Sequence, residues 1–325
     1  MHAMSTADAL PDAGESAPVP SDTGARRVAM IVNRQAGTVR SWDEAALTAR
    51  LRAAADRLGH LAELVLADPA DLHDHMERAF ADPAIDLVVI GGGDGTASSA
   101  AAAAIRHGKP ICVLPLGTFN LFARLSGFPP DLEAALARLG DGELVSIDAG
   151  RIGERWFVHH VSIGAHPRVI RLREEAGYTN RRGKMLAGIR AWAHAILDPP
   201  KLNLSIGADE TTLRGAFASV LVTVNELAEQ PAMAPLPRDP LGGRLAVYAT
   251  RTMSPGRLIL FTLMALAGRW RSNPFAAFAK ARRVAIRSTR PSLHLAMDGE
   301  QVEMTVPFQV ELVPAALTVL RLPAA

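Results

Sequence analysis

The stretch "VVIGGGDGTASSA", residues 88 to 100, constrains this chain more than any other. A buried-type apolar run ends in three glycines, an aspartate, a fourth glycine and a threonine. Glycine loses more backbone freedom on folding than any other residue, so such a run is destabilising unless the fold uses it. One use is a tight turn from strand to helix. The other is a main chain that must come close to a phosphate. The glycines admit positive φ and leave N–H groups unobstructed, and the Ala-rich residues 97–107 read as the helix that follows. Asp94 cannot be there to attract phosphate. A carboxylate in that place suits a metal ion or the orientation of a nucleophile.

The surrounding pattern predicts the fold. "RRVAMIVN" (26–33), "LAELVLAD", "IDLVVIGG" and "PICVLPLG" read as strands. Helical patterns lie between them, over 42–58, 70–81 and 97–107, and "DLEAALARL" follows with a helix-start Asp131. Strand alternating with helix predicts a parallel sheet covered on both faces. From about residue 143 short β-like runs follow one another, interrupted by helical patterns only near 167–197 and 255–280. That predicts an antiparallel β-sandwich. The expected organisation is a tail over 1–25, an α/β domain over 26–142 and a β-sandwich over 143–311. Residues 312–325, "AALTVLRL" among them, either follow the second domain or return to the first.

Composition narrows the partners. The single cysteine, Cys112, rules out an internal disulfide framework, fits a reducing compartment and reads as a core residue. No secretory signal is visible in the first 25 residues, which are rich in Ala, Pro, Ser and Asp and read as disordered. Leu241 to Met297 contains ten Lys or Arg and no acid. Such a stretch predicts an anionic partner or a solvated basic face. "LILFTLMALAG" (258–268) falls short of the ~20 residues that cross a bilayer, yet Arg257, Arg269, Trp270 and Arg271 flank it. It is either a core helix or one that touches the membrane interface. "HH" at 159–160 lies in an alternating run, so one ring is expected inward and one outward, without the spacing of a metal site.

Neither G-x-x-x-x-G-K-[ST] nor G-x-G-x-x-G after a strand occurs. What "GGGDGT" does resemble is the GGDGT signature of the diacylglycerol kinase catalytic family, with its bacterial lipid kinases and sphingosine kinases and its more distant relatives, the NAD kinases and phosphofructokinases. Three further stretches resemble that family in order: "VNRQAGT" (32–38), "LPLGTFNLFAR" (114–124) and "MDGE" (297–300). The resemblance covers about residues 26 to 325. It implies an NAD kinase/phosphofructokinase-like α/β domain and transfer of the ATP γ-phosphoryl group to a lipid hydroxyl, with Mg²⁺ as cofactor. Asn33, Arg34, Gly37, Gly92, Gly93, Gly95 and Thr96 are then expected to cradle phosphate, and Thr118 and Asn120 to bond phosphate or ribose. Glu300 stands at the general-base position. Asp298 would orient it or hold metal, and Asp94 would act with the metal. The expected partner is a lipid at the inner membrane face of the cytoplasm, not nucleic acid, with homodimerisation left open.

The sequence also departs from the family. Leu121 replaces an Asp, Arg34 a Pro, the helix after Thr96 carries no acid, and "DPLGGRL" stands where some members have an acidic metal loop. The alternatives are therefore a soluble NAD kinase-like enzyme, or a catalytically weak lipid- or nucleotide-binding homologue.

Overall fold

The computed structural model describes residues 26–323 apart from 38, 40–41, 177–180, 230–234 and 270–271. The expected tail over 1–25, Trp270 and Arg271 lie outside the described residues. Four parallel strands form the N-terminal half: β1 (Arg27–Asn33), β2 (His60–Ala67), β3 (Leu87–Gly92) and β4 (Ile111–Pro115). Helices α1 (Glu44–Ala55), α2 (Leu72–Ala81) and α3 (Asp94–His107) link them. Asp43 caps α1, its side chain accepting from the Ala46 N–H. Every residue of β3 is buried, as a strand covered on both faces must be. One face packs Met30, Val32, Val89 and Leu114 beneath α1, and the other packs Ala29, Ile31, Val88 and Ile90 beneath α2 and α3. Alanines on the inner side of α3 let that helix lie close to the sheet. Cys112 is fully buried, and burial pushes its thiol up, so it is a core residue.

The strand order is β4-β3-β1-β2. The chain turns outward in opposite directions from β1 and β3, so the crevice beyond their carboxyl ends is the topological switch point, where ligands bind in open α/β sheets. Short helices α4 (Leu121–Leu125) and α5 (Leu132–Ala137) lead to β5 (Glu143–Ile152) and β6 (Arg155–Phe157).

The C-terminal half is antiparallel and strand-rich. It comprises β7 (His160–Gly164), helices α6 (Ala165–Glu175) and α7 (Arg181–Leu197), β8 (Leu202–Ala208), β9 (Thr211–Val224), β10 (Leu245–Arg251) and helix α8 (Pro255–Leu266). It continues with β11 (Ala276–Ala281), β12 (Arg283–Ser288), β13 (Ser292–Met297), β14 (Glu300–Thr305) and β15 (Phe308–Arg321). β9 serves two ladders in turn: its first part pairs with β8, its second with β7 and β10. Phe217, Val222, Leu295 and Val310 lie in the core these strands enclose.

One feature departs from the sequence expectation. The helical pattern over 255–280 is broken: α8 ends before Gly268, which takes φ 80°, and residues 276–281 form β11 instead. The edge of β10 supplies a ladder that overrides local propensity there. The two halves share one hydrogen-bonded sheet, because β15 belongs to both. Its start pairs with β12, whereas its end pairs with β5 and, at Val319, with β4 in parallel. Leu317 and Val319 enter one core of the parallel sheet, and Leu320 and Leu322 the other.

Gly150 pairs with Phe157 across β5 and β6, and an added Cβ would overlap that buried ring. Gly150→Ala is expected to cost about 1–3 kcal/mol of stability through overpacking, read as a lowered urea midpoint with an unchanged m-value.

Candidate active site

Three loops meet at the switch point: Asn33–Gly37 after β1, Gly92–Thr96 after β3 and Gly117–Asn120 after β4. The glycines do not serve there as the sequence led one to expect. None of Gly91, Gly92, Gly93 or Gly95 has positive φ. Close approach is the reason instead. A Cβ on Gly117 would lie 2.6 Å from Gly93 Cα, and one on Gly91 would meet Leu116 and Val32 at 2.8–2.9 Å. The second and third loops therefore touch main chain to main chain. Gly37 and Gly95 face open space.

Asp94 is the first residue of α3 but does not cap it, and Gly93 in the cap position offers no side-chain acceptor. The first-turn N–H groups of this 14-residue helix are thus left for an anion. The Asp94 carboxylate reaches across to the third loop instead. It accepts from the N–H of Asn120 at 3.2 Å and of Leu121 at 2.6 Å. Asn120 is buried with φ 50°, and its Oδ1 accepts from the Gly117 N–H at 2.6 Å. Asp94 and Asn120 together fix the third loop against the second. Thr118 is exposed on its outer side and Thr96 half-buried. On the first loop, Asn33 Oδ1 accepts from the Gln35 N–H at 2.9 Å. The Arg34 guanidinium lies 3.4 Å from Glu44 and 3.9 Å from Asp68.

The late motif arrives from the other half. Asp298 sits at φ 47° in the turn between β13 and β14. Its carboxylate accepts from three successive main-chain N–H groups, Val158 at 2.7 Å, His159 at 2.9 Å and His160 at 2.8 Å. Its fourth donor is the Ser98 hydroxyl on α3, at 3.1 Å. Ser98 is one turn beyond Asp94, so the hairpin tip is tied to the helix that the glycine loop opens. Glu300 follows at the start of β14, exposed and without a hydrogen bond or ion pair among the described residues. Asp298 makes no hydrogen bond to Glu300, and all its donors are protein groups.

The role of Asp298 as a cross-domain acceptor was not legible in the sequence, because its main-chain donors are about 140 positions away and its donor from the other half, the Ser98 hydroxyl, is 200 positions away. Ser98 was missed likewise. His159 is buried, edge-on to Phe122, while His160 is half-buried and 5.6 Å from the His166 ring. Neither points into a metal cluster: among the described residues no three metal-ligating side chains come together. A cavity of about 330 Å³ lies at the other end of α4, lined by Arg124, Arg138, Arg238 and Arg321 among others. It contains none of the glycine-loop residues.

Burial, followed by the His160 and Arg173 charges, holds His166 down to about 4. Burial also lowers His160, partly offset by Asp298. Both rings bind protons more readily in the unfolded chain, so stability rises with pH through this range. Urea midpoints are expected to fall as pH drops from about 6.5 towards 4, and His166→Asn to flatten that slope. Asp298→Asn would turn an N–H donor towards donors, for an expected loss on the order of 2–3 kcal/mol, read in the same melts.

Residues 27–152 match the family described as the diacylglycerol kinase catalytic domain. A Klebsiella pneumoniae protein named "Probable lipid kinase YegS-like" is 40% identical over 73 residues, 22% of this chain and 25% of the relative. Its namesake in Cronobacter sakazakii is 30% identical over 163 residues, 48% of this chain and 51% of the relative. The matches thus span a quarter and about half of those relatives' lengths. A crystal structure titled as a diacylglycerol kinase from Bacillus anthracis superposes with a TM-score of 0.68, covering 93% of this chain and 99% of that one. At 20% identity that likeness speaks for the fold. The signature glycines, the second Gly-Thr loop and the first strand all lie inside the matched segment, so it is residues 27–152 that are similar to the diacylglycerol kinase catalytic domain.

Proposed function

We propose that this chain is a kinase that transfers the γ-phosphoryl group of ATP to the hydroxyl of a lipid, of the diacylglycerol or sphingoid and ceramide-like class. The observation that carries the reading is the junction of Asp298 with Ser98, which ties the hairpin bearing Glu300 to the helix behind the glycine loop. The N–H groups at the start of α3 receive phosphate oxygens, with Thr96, Thr118 and Asn33 as neighbouring polar groups. Asp94 braces the third loop and so acts on the nucleotide through main-chain position. The lipid hydroxyl oxygen attacks the γ-phosphorus, its proton passes to the Glu300 carboxylate, and ADP leaves. A carboxylate free of protein partners suits a base that must take a proton from substrate.

Family resemblance implies magnesium, and among the described residues no three metal-ligating side chains come together to build a site for it. Asp94 and Asp298 both spend their oxygens on protein donors. No step of the proposal runs through the metal.

A second reading, nucleotide binding without turnover, is favoured by Leu121, an apolar side chain where the family carries a carboxylate. Radiolabelled ATP offered with vesicles of mixed hydroxyl lipids separates the two. Label in the lipid is expected, and bound ATP with no labelled product in any arm would leave only the second reading. Glu300→Ala is expected to keep ATP affinity within a few-fold and to lose at least about 10²-fold in transfer. Asp94→Ala is expected to lose both, because the third loop is no longer held.

A further inference from the structure

Helix α8 poses a physical anomaly. It is apolar nearly all round, as a buried core helix would be, yet only Leu258 and Ala265 are buried. Ile259 is 49% exposed, Leu260 48%, Leu263 58% and Leu266 44%. These positions recur at helical spacing, so they form one continuous outward face. α7 packs beside α8 and exposes two more large apolar side chains, Trp192 at 45% and Leu197 at 70%. Monomeric soluble proteins rarely leave so contiguous an apolar surface to water.

We infer that this face seats in the headgroup region of an anionic lipid bilayer. The inference deepens the lipid-kinase reading by naming its membrane contact, and rests on that reading only for the substrate. Two observations select the occupant. Arg257 stands exposed in the first turn of α8 and Arg269 just after its end, at the rim of the apolar face. Across Leu241 to Met297 there are ten basic residues and no acid. A second copy docked by two-fold symmetry on this surface would bring Arg257 and Arg269 near their own copies. An anionic surface neutralises them. The nearby acids are engaged: Asp198 lies 2.7 Å from Arg168, and Glu229 accepts from the Ser272 N–H at 3.2 Å. No helix among the described residues is long and apolar enough to cross a membrane. At 12 residues α8 is about 18 Å long, so it lies on the bilayer rather than through it. Trp192 is of the type enriched at headgroup depth.

The test is co-sedimentation of the full chain with vesicles of 30% phosphatidylglycerol in phosphatidylcholine, against phosphatidylcholine alone. Binding is expected to be at least about tenfold tighter to the anionic vesicles and to weaken from 0.05 to 0.5 M salt. Ile259→Ser with Leu263→Ser is expected to weaken it about tenfold or more at an unchanged melting temperature, both side chains being half out of the fold. Arg257→Glu with Arg269→Glu should remove the preference for phosphatidylglycerol. Equal binding by parent and serine variant overturns the inference, as does a parent that binds neither vesicle. A parent dimer that the serine variant dissociates, seen by light scattering, assigns the face to a second copy and overturns it too. The two readings fail separately. Vesicle binding that depends on α8 without phosphorylation of any lipid keeps this inference and sinks the kinase. Transfer to soluble dihexanoylglycerol without vesicle binding does the reverse.

Discussion

One carboxylate, together with the shared strand β15, ties the late hairpin to the N-terminal half. Asp298 accepts from three consecutive main-chain N–H groups at the entry to β7 and from Ser98 on α3. No cation stands among its partners. Converging donors stabilise its charge instead, as hydrogen bonds to an ionised acceptor do. The turn that carries it is left-handed at Asp298, a conformation Asp tolerates better than most residues. With this grip in place, the β13–β14 hairpin can lie in only one way against the parallel sheet. The position of Glu300 follows from it.

A second constraint acts within the N-terminal half. Gly93 and Gly117 let two loops meet with no side chain between them, and Asp94 and Asn120 then lock the contact with hydrogen bonds. The start of α3 is thereby tied to the third loop, with no side-chain cap on its first-turn N–H groups. Preorganised main-chain donors of this kind need no rearrangement when charge arrives. Leu121 is compatible with the brace because it contributes only its N–H.

Much of this was legible in the chain. The apolar runs of β1, β3 and β4 are buried on both faces, and a strand of that kind advertises itself by composition alone. The glycine motif stood out because nothing else explains so many glycines at a strand end. Positive φ is not what that motif uses: lack of space requires Gly91, and the same holds for Gly117 in the neighbouring loop. Residues 276–281 looked helical and form a strand, because "AAFAKA" has no strong preference and β10 offers an edge. Asp298 looked like a metal or orienting group, since an Asp-Gly-Glu turn does not reveal which distant N–H groups will face it.

Sequence by itself determined the alternation of strand and helix, the strand-rich second half, the loops that meet at the sheet's rim and the acid-free basic stretch. These depend on periodicity, local conformational preference and counting, all of which act over a few residues. Tertiary structure alone decided that Asp94 braces a neighbouring loop, that Asp298 reaches α3, and that α8 keeps its apolar face outside. Each of those depends on which groups, far apart in the chain, compete for the same donor or the same buried surface, and only the closed fold settles that competition.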